Sequence, residues 1–274
     1  MARRNRGSLQ VSVVLVALLS VVAIAAPVLA PYAPNAQPDI VQGKNLPPSL
    51  AHPFGTDLSS RDVLSRVIYG ARVSLSVASA AVSLTLVIGT AFGAAAALVG
   101  GLTDRVMMRL LDIAMAIPRL LVLLAIMSFS PHGLSIWALA LVIAATGWYD
   151  VARMVRGELH GLMERDFVRA AQATGVRRSR LLVKHLLPHL LPVLAVSATL
   201  GVAQTIALEA GLGFLGFGVN GPTWGSILND GVGRVDTQWW LTLFPALAIA
   251  IAVLACNALG DALRDVFAPP QLPA

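Results

Sequence analysis

Long apolar stretches, each nearly free of charge, recur along the whole chain and constrain its fold more than any other feature. A hydrocarbon core about 30 Å thick is crossed by about 20 mostly apolar helical residues, and such stretches fall near 9–30, 76–99, 107–128, 135–150, 189–212 and 239–260. Backbone N–H and C=O groups inside lipid must find partners within the protein, so each stretch has to be helical or belong to a closed barrel. The Leu-, Ala- and Val-rich runs lack the alternating polar positions of barrel strands, which leaves helices. With 57% hydrophobic and 12% charged residues over 274 positions, and a mean hydropathy of +0.76, the chain is too apolar for a soluble domain. The expected fold class is an all-α integral membrane protein with six transmembrane helices.

The net charge of +6 is explained by topology rather than by a nucleic-acid partner. With the N-terminus inside, Arg3, Arg4, Arg6, Arg105, Arg109, the eight basic residues from Arg153 to Lys184, and Arg264 all lie on the cytoplasmic side. Lys44, Arg61, Arg66, Arg72 and Arg234 fall outside. No folded basic face or aromatic stacking platform accompanies the charge, so no nucleic-acid role is expected. Both termini are placed in the cytoplasm. The first apolar run, preceded by Arg3-Arg4-Asn5-Arg6, exceeds the usual signal-peptide core of about 7–15 residues and reads as a retained anchor. It forms a first unit, 1–34. The single cysteine, Cys256, sits inside the last span and supplies neither a disulfide framework nor a thiol metal site.

A second unit, 35–72, is extracytoplasmic. Its first part is rich in Pro, Asn and Gln and reads as a lid or packing strap. In the following HPFGTDLSSRDVLSRVIYG, Asp57 is placed to cap a surface helix carrying Val63, Leu64, Val67 and Ile68 on one side. The core unit, 73–268, holds the remaining five spans. Span two is dense in small residues, among them Ser79, Ala80, Ser83, Gly89, Gly93 and 94–97, which let helix backbones approach closely.

Ionisable groups within the spans single themselves out because burying them in lipid is costly. Span three carries Asp112, Pro118 and Arg119; on one continuous helix the two charges lie on one face, two turns apart. Either they pair with neighbouring helices or they line a solute path. Glu209, near the outer end of span five, either binds a substrate amine or holds the following turn by a hydrogen bond.

Between spans four and five lies the basic, helix-forming segment DFVRAAQATGVRRSRLLVKHLLP, within a cytoplasmic loop spanning 150–188. Ala170 and Ala171 are small enough for a partner to approach, and Gly175 reads as a helix stop that needs a positive φ. Pro188 and Pro192 punctuate entry into the next span, one turn apart. Ala-Ala, three residues, Gly, nine residues and then His185-Leu186-Leu187-Pro188 together resemble the cytoplasmic "EAA" loop of permeases of ABC importers. This chain has Arg169 where that consensus begins with Glu. The His-x-Leu-Pro ending matches the dipeptide, oligopeptide and nickel branch, and the entry block from His52 resembles its second, "C"-type, permease. Glu209 followed by Phe214-Leu215-Gly216-Phe217-Gly218 and Trp224-Gly225 resembles the family's turn into an extracytoplasmic re-entrant helix, here with a shorter loop before Thr223. The tail NALGDALRDVFAP is similar to the family's last cytoplasmic exit.

The resemblance covers nearly all of the chain from His52 onward. It implies the type I ABC importer permease fold and half of a translocation pathway for di- or oligopeptides, glutathione or nickel. The implied partners are a second homologous permease, two ATP-binding cassette subunits that dock at Arg169, Ala170, Ala171, Gly175, His185, Leu187 and Pro188, and an extracytoplasmic solute-binding protein. That protein would deliver near Phe214, Gly216, Gly218 and Trp224, and the implied location is the inner membrane. The sequence has no G-x-x-x-x-G-K-[ST] phosphate loop, so ATP hydrolysis and nucleotide cofactors are assigned to partners. No Cys/His metal set is present, and His52, His132, His160, His185 and His189 read as ordinary residues. Two rivals remain: an ion-coupled secondary transporter using Asp112, Arg119 and Glu209, and a non-transporting membrane scaffold.

Overall fold

The structure, a computed structural model, describes residues 2–130 and 133–267. His132 lies outside the described residues, as do Ala268 and Pro269 of the tail motif, and the side chains of residues 2–6, 172, 178 and 179 are likewise not described. The elements, in order, are helices α1 (Ala2–Ile24), α2 (Ala26–Leu29), α3 (Val63–Val99), α4 (Gly101–Met115), α5 (Arg119–Ser128), α6 (Ile136–Ala145), α7 (Trp148–Met163), α8 (Asp166–Ala173) and α9 (Arg178–Leu181), then a π-helical turn (Leu182–Leu186), α10 (Leu187–Phe214), α11 (Trp224–Asp230) and α12 (Trp240–Phe267). Four helices are long and apolar enough to cross a membrane, and six spans result if each of two bent pairs counts as one.

Helix α3 is the mast of the molecule. Asp62, not Asp57, is its N-cap: one carboxylate oxygen accepts from the Ser65 backbone N–H at 2.8 Å and the Ser65 hydroxyl at 2.7 Å. The surface helix expected around Val63–Ile68 is not separate, because no breaker follows it. Its turns open a helix that runs unbroken for 37 residues, through Gly70, until Gly100 and Gly101 take left-handed φ values of 66° and 62°. Along α3 four apolar cores are strung from outside to inside, at Val63, at Ala71 and Ala78, at Val77 and Ala81, and at Ala94 and Ala97. The small residues are there for packing. A Cβ on Gly89 would stand 2.6 Å from the Cβ of Val151, and one on Gly93 would collide with the Ala152 carbonyl oxygen, so α7 lies directly against the α3 backbone.

Both bent pairs depart from the single straight spans expected at 107–128 and 135–150. Helices α4 and α5 meet at 69° and α6 and α7 at 50°. At the first break Pro118 has no N–H to donate and stands in an extended conformation (ψ 120°). Asp112 and Arg119 are therefore on different helices rather than on one face. Entry into α10 is similarly marked by proline. Since Pro188 has no N–H to give, the ladder widens to a π turn in which the Leu187 N–H reaches the Leu182 carbonyl.

Outside, residues 31–62 form a packed strap. Tyr32 N–H donates to Ser65 Oγ, Leu46 N–H to Thr56 Oγ1, and the Trp240 indole N–H to the Thr56 carbonyl at 3.0 Å. Within it, the backbone N–H groups of Gln42 and Val41 both donate to Asp39 and hold its carboxyl below the usual carboxylate range.

Candidate coupling surface and translocation cavity

The segment that holds α8 and α9 is built as a two-helix knob. Val168, Leu181, Leu186 and Leu190 are fully buried against Val155, Leu159 and Leu162 of α7 and Ala94 and Ala97 of α3. Between α8 and α9 the chain turns through a Schellman motif. The Val176 N–H bonds the Ala171 carbonyl at 3.2 Å, and Gly175 takes the left-handed position at φ 79°. With its leucines turned inward, the knob exposes Arg169, Ala170 and Gly175, while Ala171, His185 and Leu187 are half-buried beside them and Pro188 is exposed. The His189 ring stacks on Phe167, centroids 5.2 Å apart, and its Nδ1 donates to the His185 carbonyl at 2.6 Å. All seven residues expected at the coupling site thus fall on one knob, presented outward by a rigid base.

At the opposite end of the molecule a second Schellman motif ends α10, with Gly216 at φ 88° and the Phe217 N–H on the Leu212 carbonyl. Phe214 is 44% exposed, whereas Trp224 is only 1% exposed. The Trp224 indole N–H donates to the Val67 carbonyl at 3.0 Å, over Gly70, where a Cβ would come within 2.9 Å of the ring. Trp224 is thus the anchor of the re-entrant helix α11, whose start is closed by a capping box between Thr223 and Ser226. Gly218 gives its carbonyl to the Leu134 N–H at 3.2 Å. Glu209 is fully buried, and one of its carboxylate oxygens accepts from the Ser74 hydroxyl of α3 at 2.7 Å. That hydrogen bond joins α10 to α3 rather than to the turn that follows α10.

An ion cluster closes the same face. Asp57, fully buried, accepts from Arg61 Nε at 2.7 Å and Arg66 Nη1 at 2.5 Å, and Arg66 Nη1 also reaches Asp230 at 2.6 Å. Strap, mast and re-entrant helix are joined by that one guanidinium. Sequence reasoning missed this cluster, since Asp57 was read as a cap and Arg66 only as an outer charge.

Asp112 of α4 pairs with Arg153 of α7 at 2.6 Å, with both side chains half exposed. In the first turn of α4, Asp104 receives two hydrogen bonds from Arg156, that from Nη2 at 2.5 Å. Arg119 spans the two helix breaks: its Nη2 donates to the Ile143 carbonyl at 2.8 Å and its Nε to Thr146 Oγ1 at 3.3 Å. The guanidinium occupies the space that a Cβ on Gly147 would need. It thereby joins the Thr146 hydroxyl in donating to the Ile143 carbonyl at the end of α6. Beside it opens a cavity of about 300 Å³ walled by α3, α7 and α10, with Arg119, Asp150, Gln204 and Thr85 among its lining. A solute path is one of the two alternatives the sequence leaves for Arg119, the other being pairing with neighbouring helices. Asp150 and Gln204 were not singled out, although an Asp three residues after Gly147 at a span's end is a legible signal.

The comparisons with known proteins agree with this architecture. Residues 66–271 match the model of the binding-protein-dependent transport system inner membrane component, and residues 3–48 that of the N-terminal TM domain of oligopeptide transport permease C. A putative peptide permease protein of Brucella suis is 42% identical over 97% of this chain and 88% of its own length. The oligopeptide transport system permease protein OppC of Bacillus subtilis is 37% identical over 97% of this chain and 87% of its own. The dipeptide transport system permease protein DppC of the same organism is 37% identical over 92% of this chain and 78% of its own. Among solved structures, the inward-facing MetNI methionine ABC transporter shares the fold with a TM-score of 0.61 at 20% identity, over 75% of this chain and 98% of that one. Family model, relatives and fold together establish that the chain belongs to the family of binding-protein-dependent transport system inner membrane components and is a membrane-spanning permease subunit of an ABC importer.

Proposed function

We propose that this permease moves short peptides inward and forms half of their pathway, the other half coming from a second, homologous permease. The observation that carries the reading is the identity of 37–42% to permeases named for peptides, oligopeptides and dipeptides over nearly the whole chain. Two ATP-binding cassette subunits supply the energy. One of them docks on the exposed face of the knob around Arg169, Ala170 and Gly175, and Arg169 makes that contact basic where the related consensus is acidic. A solute-binding protein delivers on the outer face beside Phe214 and the turn through Gly216 and Gly218. Both termini lie in the cytoplasm of an inner-membrane protein, in keeping with the basic residues that flank the spans on that side. The pathway opens alternately to the two sides as bundles rock against each other.

The test is uptake of a labelled tripeptide by cells that express this chain with its neighbouring subunits. Uptake is expected to survive an ionophore and to stop on ATP depletion. Uptake that stops with the ionophore and survives ATP depletion would overturn the ABC coupling, and ATP-driven uptake of other solutes but no peptide would overturn the substrate class.

A further inference from the structure

The cavity beside the two helix breaks has a property that packing alone does not require. It lies near the middle of α3, at Val82 and Thr85, and near the middle of α10, at Gly201 and Gln204, within two of the helices long and apolar enough to cross a membrane. A positive and a negative group nevertheless share it. Arg119 is held in place by Ile143 and Thr146, yet those two bonds occupy only two of the five N–H donors of a guanidinium. Asp150, in the first turn of α7, lines the same cavity as Arg119 without forming a direct ion pair with it among the described residues. Each charge is compensated by a helix end: Arg119 faces the C-terminus of α6, and Asp150 lies at the N-terminus of α7. Both keep hydrogen-bonding capacity in reserve. Gln204 adds an amide that is exposed to the cavity.

We infer that this cavity is a transient binding site for a zwitterionic solute, in which Arg119 meets a carboxylate, Asp150 meets an ammonium group and Gln204 meets an amide between them. A volume of about 300 Å³ lies at the lower end of the range of roughly 300–1,000 Å³ for small-molecule sites, which suits a very short peptide. Broken helices whose ends face opposite charges of a solute near mid-membrane are a recurrent solution in transporters. The inference rests on the peptide reading above and adds where, and by which groups, the peptide is held on its way through.

The single native thiol makes the test direct. In the full complex in vesicles, Cys256→Ala removes that thiol and Ser197→Cys places a reporter on the cavity wall. A dipeptide with free ends, supplied with ATP and the solute-binding protein, should slow maleimide labelling of the reporter. The same dipeptide acetylated at its amino group should protect only at about tenfold higher concentration, as expected for loss of a hydrogen bond to a charged group. Asp150→Asn should abolish that difference between the two ligands. If the vesicles take up the dipeptide but labelling does not change, or if both ligands protect equally, the site is overturned while the peptide function stands. If ATP-driven uptake of the dipeptide is itself absent, the peptide reading falls and the site falls with it.

Discussion

At Gly175 the backbone stands at φ 79°, a conformation that costs a residue with a side chain about 1–2 kcal/mol. A Cβ there meets nothing within 4 Å, so space is not what selects glycine. Gly175→Leu should therefore leave membrane insertion intact while it distorts the turn between α8 and α9 and abolishes ATP-driven uptake; normal uptake would remove Gly175 from the coupling surface. Arg66 acts differently, through burial. It is 4% exposed and bridges Asp57 and Asp230, so Arg66→Ala leaves a fully buried carboxylate facing Arg61 alone. Breaking a buried ion network from one side costs about 3–5 kcal/mol. Heating in detergent with a dye that reacts with the Cys256 thiol should report a clearly lowered midpoint, and an unchanged one would mean that the cluster holds nothing together. The stop at Gly175 was legible from its neighbours in sequence, because a helix end is a local event. The partners of Arg66 were not, because Asp230 lies 164 residues away.

Between elements, contact of α3 with α7 depends on the absence of side chains at Gly89 and Gly93. Gly93→Leu would drive a side chain into the Ala152 backbone, and overpacking of this kind typically costs about 1–3 kcal/mol. The same thiol assay should show destabilisation, and since α7 carries the base of the knob, assembly with ATPase subunits should weaken in parallel. Retention of both stability and assembly would refute the close packing. Element boundaries were only partly readable. Pro118 announced a discontinuity that hydropathy alone smoothed over, because a sliding apolar average is blind to a missing N–H. The second break has no proline, and only Gly147 beneath the Arg119 guanidinium explains it. Conversely, the start of α3 reads as a surface helix from its cap and one apolar side; in the structure it packs against the strap and α11.

On the scale of the whole molecule, the arrangement is of three tiers on one long mast: an outer strap and re-entrant helix locked by ions and tryptophans, a middle cavity between two broken spans, and an inner knob on a leucine base. This tiering suits a subunit that must pass motion from one side to the other while its outer edge stays shut. It suits an ion-coupled carrier less well, since Asp112 pairs with Arg153, Glu209 is hydrogen-bonded to Ser74 and Arg119 is tied to a helix end, with no connected relay among the three. Six apolar stretches, the small-residue face of α3 and the glycine stop in the knob were determined by the sequence alone. Each depends on hydropathy, charge or backbone freedom, which act on residues close together in the chain. Only the tertiary structure decided that Asp112 belongs to Arg153, that Asp57 and Asp230 share Arg66, and that Arg119, Asp150 and Gln204 converge on one cavity, because such pairings depend on how distant helices cross and where they break.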